Sequence, residues 1–136
     1  MIRVSRTRLT KATRFRLNQL ARHILMQRVG AYLVTDEGRE QWYGKCERCT
    51  KTTWLSWCHV FSRSIHATAW DDDNVFAWCR GCHRYMDQHW EQKRDACIAR
   101  IGQSRFDALK LRAQPGRKPD YAGLELSLRQ QLKEAS

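Results

Sequence analysis

The sequence predicts an α+β fold, mostly helical, and three observations carry that expectation. Two Cys-x-x-Cys pairs, Cys46/Cys49 and Cys79/Cys82, bracket a tryptophan-rich stretch. Between them, residues 52–61 and 75–78 are rich in β-branched and aromatic side chains, a composition that fits a pleated, half-buried surface. Outside them, apolar residues recur with the 3.6-residue period of helices. The expected architecture is a small strand-strand-helix finger closed at its two cysteine pairs, flanked by a basic N-terminal helix and by C-terminal helices. Residues 1–45 read as a basic helical arm, 46–102 as the finger and 103–136 as the C-terminal helices.

Taken in order, residues 9–29 form an amphipathic helix, with Leu9, Leu17, Leu20 and Ile24 on one side and Arg8, Lys11 and Arg22 opposite. Gly30 is a plausible stop. Residues 31–45 are mixed, with Thr35-Asp36-Glu37-Gly38 as a turn or a short helical turn, and Gly44 lets the chain enter the first cysteine pair. Residues 62–74 form the loop between the two strands. After Cys82, residues Met86, Trp90, Cys97, Ile98 and Ile101 share a face, so one long helix opens at His83 and stops at Gly102. A short helix over 104–113, a linker holding both prolines over 114–120 and a final helix over 121–133 complete the chain.

Four thiolates in two such pairs suit the tetrahedral preference of Zn²⁺ and leave no open coordination position, so Cys46, Cys49, Cys79 and Cys82 are expected to hold a structural zinc. The segment from Cys46 to Cys82 is too short to bury much core, whereas a Cys₄ site contributes about 10–16 kcal/mol of apparent binding free energy at neutral pH. Two disulfides in a secreted domain are the alternative. The polar, arginine-rich first residues, with no apolar leader, weigh against it and favour a reducing cytoplasm. No stretch has the apolar length needed to cross a membrane.

The formal charge of +11 favours a polyanionic partner. Arg3, Arg6, Arg8, Lys11, Arg14, Arg16, Arg22 and Arg28 all precede the first acidic residue, Asp36, and the first seven of them are the candidate nucleic-acid contacts. A solvated helix face, a ribosome-binding tail or a membrane-surface tail are the blander readings of the same charge.

Phosphodiester hydrolysis needs an activated water, an electrophile that takes up charge on the phosphoryl group, and stabilisation of the leaving oxygen. If a metal clamps the two cysteine pairs together, His59 on the first strand and His83 at the start of the helix can converge on one phosphate. His59 is the candidate general base, and His83 the candidate ligand of a catalytic Mg²⁺ or Mn²⁺. Asn74 would brace the loop, and Arg63 could hold a phosphate through its planar fork. Asp87, one helical turn after His83, is either a further ligand or a partner that orients the imidazole. Asp71, Asp72 and Asp73 read as ordinary loop acids. Most of the tryptophans should pack the core, with one left to stack on an unpaired base.

The series Cys46-x-x-Cys49, then Trp57-Cys58-His59-Val60-Phe61-Ser62-Arg63-Ser64, then Asn74, then Cys79-x-x-Cys82-His83 resembles an HNH (ββα-metal, treble-clef-like) endonuclease. Within that superfamily it is most similar to the phage NinG/Rap recombination endonucleases, and more distantly to phage endonuclease VII. The likeness is best from Cys46 to about Asp87. It implies cleavage of branched or recombining DNA such as a Holliday junction or D-loop, with His59 as base, Asn74 holding the loop and His83 on the metal; a phage origin would put it in the host cytoplasm. Many members carry a metal-ligating aspartate or histidine just before the base. Here that place is Cys58, which enters as a candidate ligand but reads, like Cys97, as a small packed residue, leaving the ion on fewer protein ligands. Mg²⁺ tolerates this because it keeps several waters. His83 also departs, since the two likened families favour asparagine there. A homodimer through the C-terminal helices would suit symmetric cutting of a junction. A non-catalytic zinc-ribbon DNA-binding protein and an RNA-binding zinc protein are the competing readings.

Overall fold

A computed structural model of the chain describes residues 8–135; Arg3 and Arg6 of the basic series lie outside the described residues. The elements run α1 (Lys11–Arg28), β1 (Tyr32–Asp36), β2 (Arg39–Lys45), β3 (Thr52–His59), β4 (Val75–Cys79), α2 (Arg80–Asp87), α3 (Trp90–Ile101), α4 (Gln103–Arg112) and α5 (Tyr121–Ala135). The class is α+β, with an antiparallel sheet in the order β1-β2-β3-β4.

Residues 31–45 correct the expectation of a helical arm, because most of them form a β-hairpin that extends the sheet. Its two-residue loop, Glu37-Gly38, has φ of 49° and 77°, the doubly positive backbone that matches the twist of a tight hairpin. Trp42 then buries against Leu25 and Met26 of α1. At Gly44 a Cβ would come to 3.0 Å from Ala31 Cα and Cβ, a tight approach that glycine avoids where β2 passes the chain leaving α1.

Helix α1 starts where the Thr10 side chain accepts the amide of Thr13, and Gly30 follows its end at a φ of 68°. It is a packed element. Leu25 and Met26 cover Val75 and Ala77 on one sheet face, while Leu17, Ala21 and Ile24 meet Tyr121 and Leu128 of α5. Helix α5 therefore spends its apolar face within the chain, although Leu126 stays exposed. The opposite sheet face carries the second core, in which Cys58, Phe76 and Trp78 pack against Met86, Cys97, Ile101, Phe106 and Leu109 from α2, α3 and α4.

The single long helix expected after Cys82 is two helices that part at Gln88 and His89. The amides of Gln88 and His89 donate to the carbonyls of Tyr85 and Met86, three residues back, at 3.1 Å each. The His89 ring donates from Nδ1 to the Tyr85 carbonyl at 2.7 Å, taking the acceptor that the His89 amide would use in an unbroken helix. An apolar period of 3.6 runs on through the break, which hides it from sequence.

Candidate functional site

The two cysteine pairs meet where the β2–β3 turn faces the β4–α2 junction. The four sulfurs of Cys46, Cys49, Cys79 and Cys82 lie within 4.8 Å of one another, and Cys49 Sγ is 3.8 Å from Cys79 Sγ. Tetrahedral Zn–S bonds of about 2.3 Å require sulfurs about 3.8 Å apart, so this group could hold a metal ion such as zinc. None of the four is disulfide-bonded.

Backbone donors are aimed at the sulfurs. The amides of Arg48 and Cys79 reach Cys46 Sγ at 3.4 and 3.3 Å, and the amide of Cys82 reaches Cys79 Sγ at 3.4 Å. Cys79 is also the N-cap of α2, so the sulfur cluster sits at that helix's start. The Arg48 guanidinium donates to Cys82 Sγ at 3.3 Å and lies over the Tyr85 ring. Thr50 closes the first turn at a φ of 66°, a conformation costly for a β-branched residue. Glu47, inside the first pair, accepts the Ala77 amide at 2.7 Å and pairs with Arg28, whose other arm reaches Asp72 at 2.9 Å.

His59 ends β3 with its ring held on several sides. Its Nε2 donates to the Ala69 carbonyl at 2.8 Å, and Trp57, two residues back on the same side of the strand, meets it edge-on at 4.4 Å. Burial drives its pKa down to about 4, opposed by the Ala69 hydrogen bond, with Arg63, His83 and Lys93 adding positive charge nearby. The imidazole is therefore neutral at pH 7, with the proton on Nε2 and the lone pair on Nδ1.

Asn74 braces the loop, in the manner the sequence suggested. Fully buried, it accepts the Phe61 amide at 2.8 Å and donates to the carbonyls of Phe61 and Thr68 at 3.1 and 3.0 Å. Thr68 precedes Ala69, so this clamp holds the carbonyl that orients His59. Its contact is with backbone only.

His83 Nε2 lies 3.2 Å from Asp87 Oδ2, and Asp87 Oδ1 accepts from Lys93 Nζ at 2.8 Å. Lys93 also donates to the backbone carbonyl of His59 at 3.0 Å. A chain of contacts thus joins both histidines across α2, α3 and β3. Lys93 was not anticipated, yet it occupies the apolar register of Met86, Trp90, Cys97 and Ile101, where a lysine is itself the signal. Among the described residues, the four cysteines are the one group of three or more His, Cys, Asp or Glu that converges as metal ligands do.

Cys58 is corrected as a ligand. Strand alternation turns it away from His59 into the core beside Phe76 and Trp78, fully buried, and its thiol bonds the Ser56 carbonyl at 3.3 Å. Burial also pushes its pKa up, against thiolate formation. Arg16 pairs with Glu125 at 3.1 Å and ties α1 to α5, with its side chain still half-exposed. Asp71, Asp72 and Asp73 pair with Arg112, Arg28 and Arg105, so they fasten the loop.

Of the remaining basic candidates, Arg8 and Lys11 are exposed at the start of α1. Arg22 and Arg63 stand over the Trp57 ring at 5.3 and 5.2 Å. Arg63 borders two clefts, one of about 420 Å³ with Arg14, Asn18 and His66, the other of about 700 Å³ with Arg22 and Arg80. Arg80, like Lys93, escaped the sequence reading, since an arginine after a cysteine has no distinguishing pattern.

No protein-family model matches the chain, and neither the curated proteins nor the solved structures searched contain a match.

Proposed function

We propose that the chain is a metal-dependent DNA endonuclease of the HNH (ββα-metal) type, hydrolysing phosphodiester bonds in branched or recombination-intermediate DNA, with zinc on the four cysteines as a structural ion. The observation that carries this reading is His59: a neutral imidazole whose Nε2 is committed to a backbone carbonyl, leaving the Nδ1 lone pair as a base, with Arg63 nearby and with His83 linked to its strand end through Asp87 and Lys93.

In this mechanism His59 Nδ1 accepts the proton of the attacking water. Arg63 and Arg22 hold the phosphate and neutralise part of the charge that develops on it. His83 and Asp87 would hold a divalent ion, which when bound supplies charge neutralisation at the phosphoryl and leaving oxygens. Two protein ligands suit Mg²⁺, which completes its shell with water and phosphate. Asn74 and Lys93 act on His59 through backbone, one fixing the loop that orients the ring and the other the strand end that carries it.

A zinc protein that binds DNA without cutting it is the second reading, favoured by the Lys93 ammonium already seated on Asp87. The two separate in one assay. Zinc-loaded protein is incubated with a labelled four-way junction, a D-loop and linear duplex, with and without Mg²⁺ or Mn²⁺, beside a His59→Ala variant. Ion-dependent cutting by the wild type, with His59→Ala binding but not cutting, is the expected result. Intact substrates under every condition would leave the binding protein.

A further inference from the structure

Tyr32, Tyr43 and Trp54 are cross-strand neighbours on β1, β2 and β3, so their rings stand in a row on one face of the sheet. They are 74%, 38% and 49% exposed, and Tyr43 and Trp54 meet edge-on at 5.2 Å. On this same face Cys58, Phe76 and Trp78 are covered by α2, α3 and α4; the covering stops short of the aromatic row.

Beside the row the sheet opens. Strands β2 and β3 pair from Lys45↔Thr52 only as far as Trp42↔Leu55, while β3 continues beside β4 to His59. Where β2 departs lies the cleft of about 700 Å³, lined by Arg22, Arg63, Arg80, Trp54 and Trp57, with Glu40 as its single carboxylate. The buried Nε1 donors of Trp42 and Trp57, both on its lining, have no hydrogen-bond partner. Three guanidiniums against one carboxylate suit a run of phosphates. Exposed rings flanking such a run suit bases free to stack, which a duplex does not offer.

We infer that the aromatic row and the cleft at the open end of the sheet form a seat for an unpaired nucleic-acid strand, with bases on Tyr32, Tyr43 and Trp54 on one face and phosphates on Arg80 and, across the opening, on Arg22 and Arg63, which stand over Trp57 on the other face. The inference rests on the nucleic-acid part of the proposed function but not on hydrolysis. It assigns the part of a branched substrate that the sheet holds.

The test is fluorescence anisotropy of the full zinc-loaded chain with a labelled oligothymidylate, an oligouridylate of equal length and a hairpin duplex, without added divalent ion, over a salt series. Trp54→Ala and Tyr32→Ala should each weaken single-strand binding roughly ten-fold while changing duplex binding less than two-fold. Trp54→Phe should restore most of the loss. Arg80→Ala should weaken binding and lower the slope of log K against log salt by about one. Zinc content and thermal melting report whether each variant is folded. Tighter binding of the uridylate would support the seat and make RNA its strand. The inference is overturned if Trp54→Ala and Tyr32→Ala bind the single strand as the wild type does, if single-strand and duplex affinity fall together, or if sedimentation shows that the face joins two copies of the chain. Single-strand binding that depends on Trp54, without cutting under any ion, would leave this inference standing and remove the nuclease; cutting with no effect of Trp54→Ala on binding would do the reverse.

Discussion

The imidazole of His59 donates from Nε2 to the carbonyl oxygen of Ala69 at 2.8 Å, which makes Nδ1 the basic nitrogen of a ring held neutral. Because its pKa is driven down from 6.5 to about 4, the folded state refuses a proton that the unfolded chain accepts. The stability this implies is fully present above about pH 6.5 and is lost as pH falls toward 4. Relative to a His59→Gln variant, the wild type should lose about 1.5 kcal/mol between pH 6.5 and pH 5, at most about 1.4 kcal/mol per pH unit. Urea melts of both proteins across that range measure it, and the difference cancels any acid effect on the cysteines. Equal pH slopes would mean that His59 titrates normally.

Asn74 makes three backbone hydrogen bonds with no exposure to water, so removing it leaves buried donors and acceptors without partners. Asn74→Ala should cost about 3 kcal/mol in a denaturant melt, with metal content unchanged. Asn74→Asp should cost at least as much, since it sets carboxylate oxygens against the carbonyls of Phe61 and Thr68. A loss under 1 kcal/mol for either would refute the clamp.

Cys49 and Cys58 should behave as opposites. Cys49→Ser removes one of four converging sulfurs, and purified protein should hold well under one zinc per chain and lose tertiary signal in near-ultraviolet circular dichroism. Cys58→Ala should keep full zinc and cost about 1–2 kcal/mol through the small cavity it leaves beside Phe76 and Trp78. Zinc loss in Cys58→Ala would place that thiol on the metal after all.

Thr50 holds a φ of 66°, where a β-branched side chain crowds its own backbone. Thr50→Gly should raise stability of the zinc-loaded protein by about 1 kcal/mol, read from the melting temperature. An unchanged or lower midpoint would show that the turn accommodates threonine without strain.

What could be read from the sequence was local. The cysteine pairs announce their own convergence, and β3, β4 and α1 carry their periods within a few turns of chain. The β1–β2 hairpin was missed because Tyr32 to Lys45 alternate only weakly, and their strand character rests on Trp42 reaching Leu25 and Met26, which no window contains. The break at Gln88 was hidden because the apolar stripe continues across it, the deciding contact being one imidazole on one carbonyl. Arg16 looked like its basic neighbours, and only the arrival of Glu125 from α5 sets it apart. Cys58 was placed by homology of position, whereas strand parity sends it into the opposite layer from His59.

Arg28 grips Glu47 between the first two cysteines and Asp72 just ahead of Asn74. One side chain near the end of α1 therefore anchors both the metal turn and the loop behind His59, two features that share no covalent neighbourhood. A lesion at this single arginine, remote in the chain from every candidate ligand or base, would loosen both at once and could pass for a defect in either.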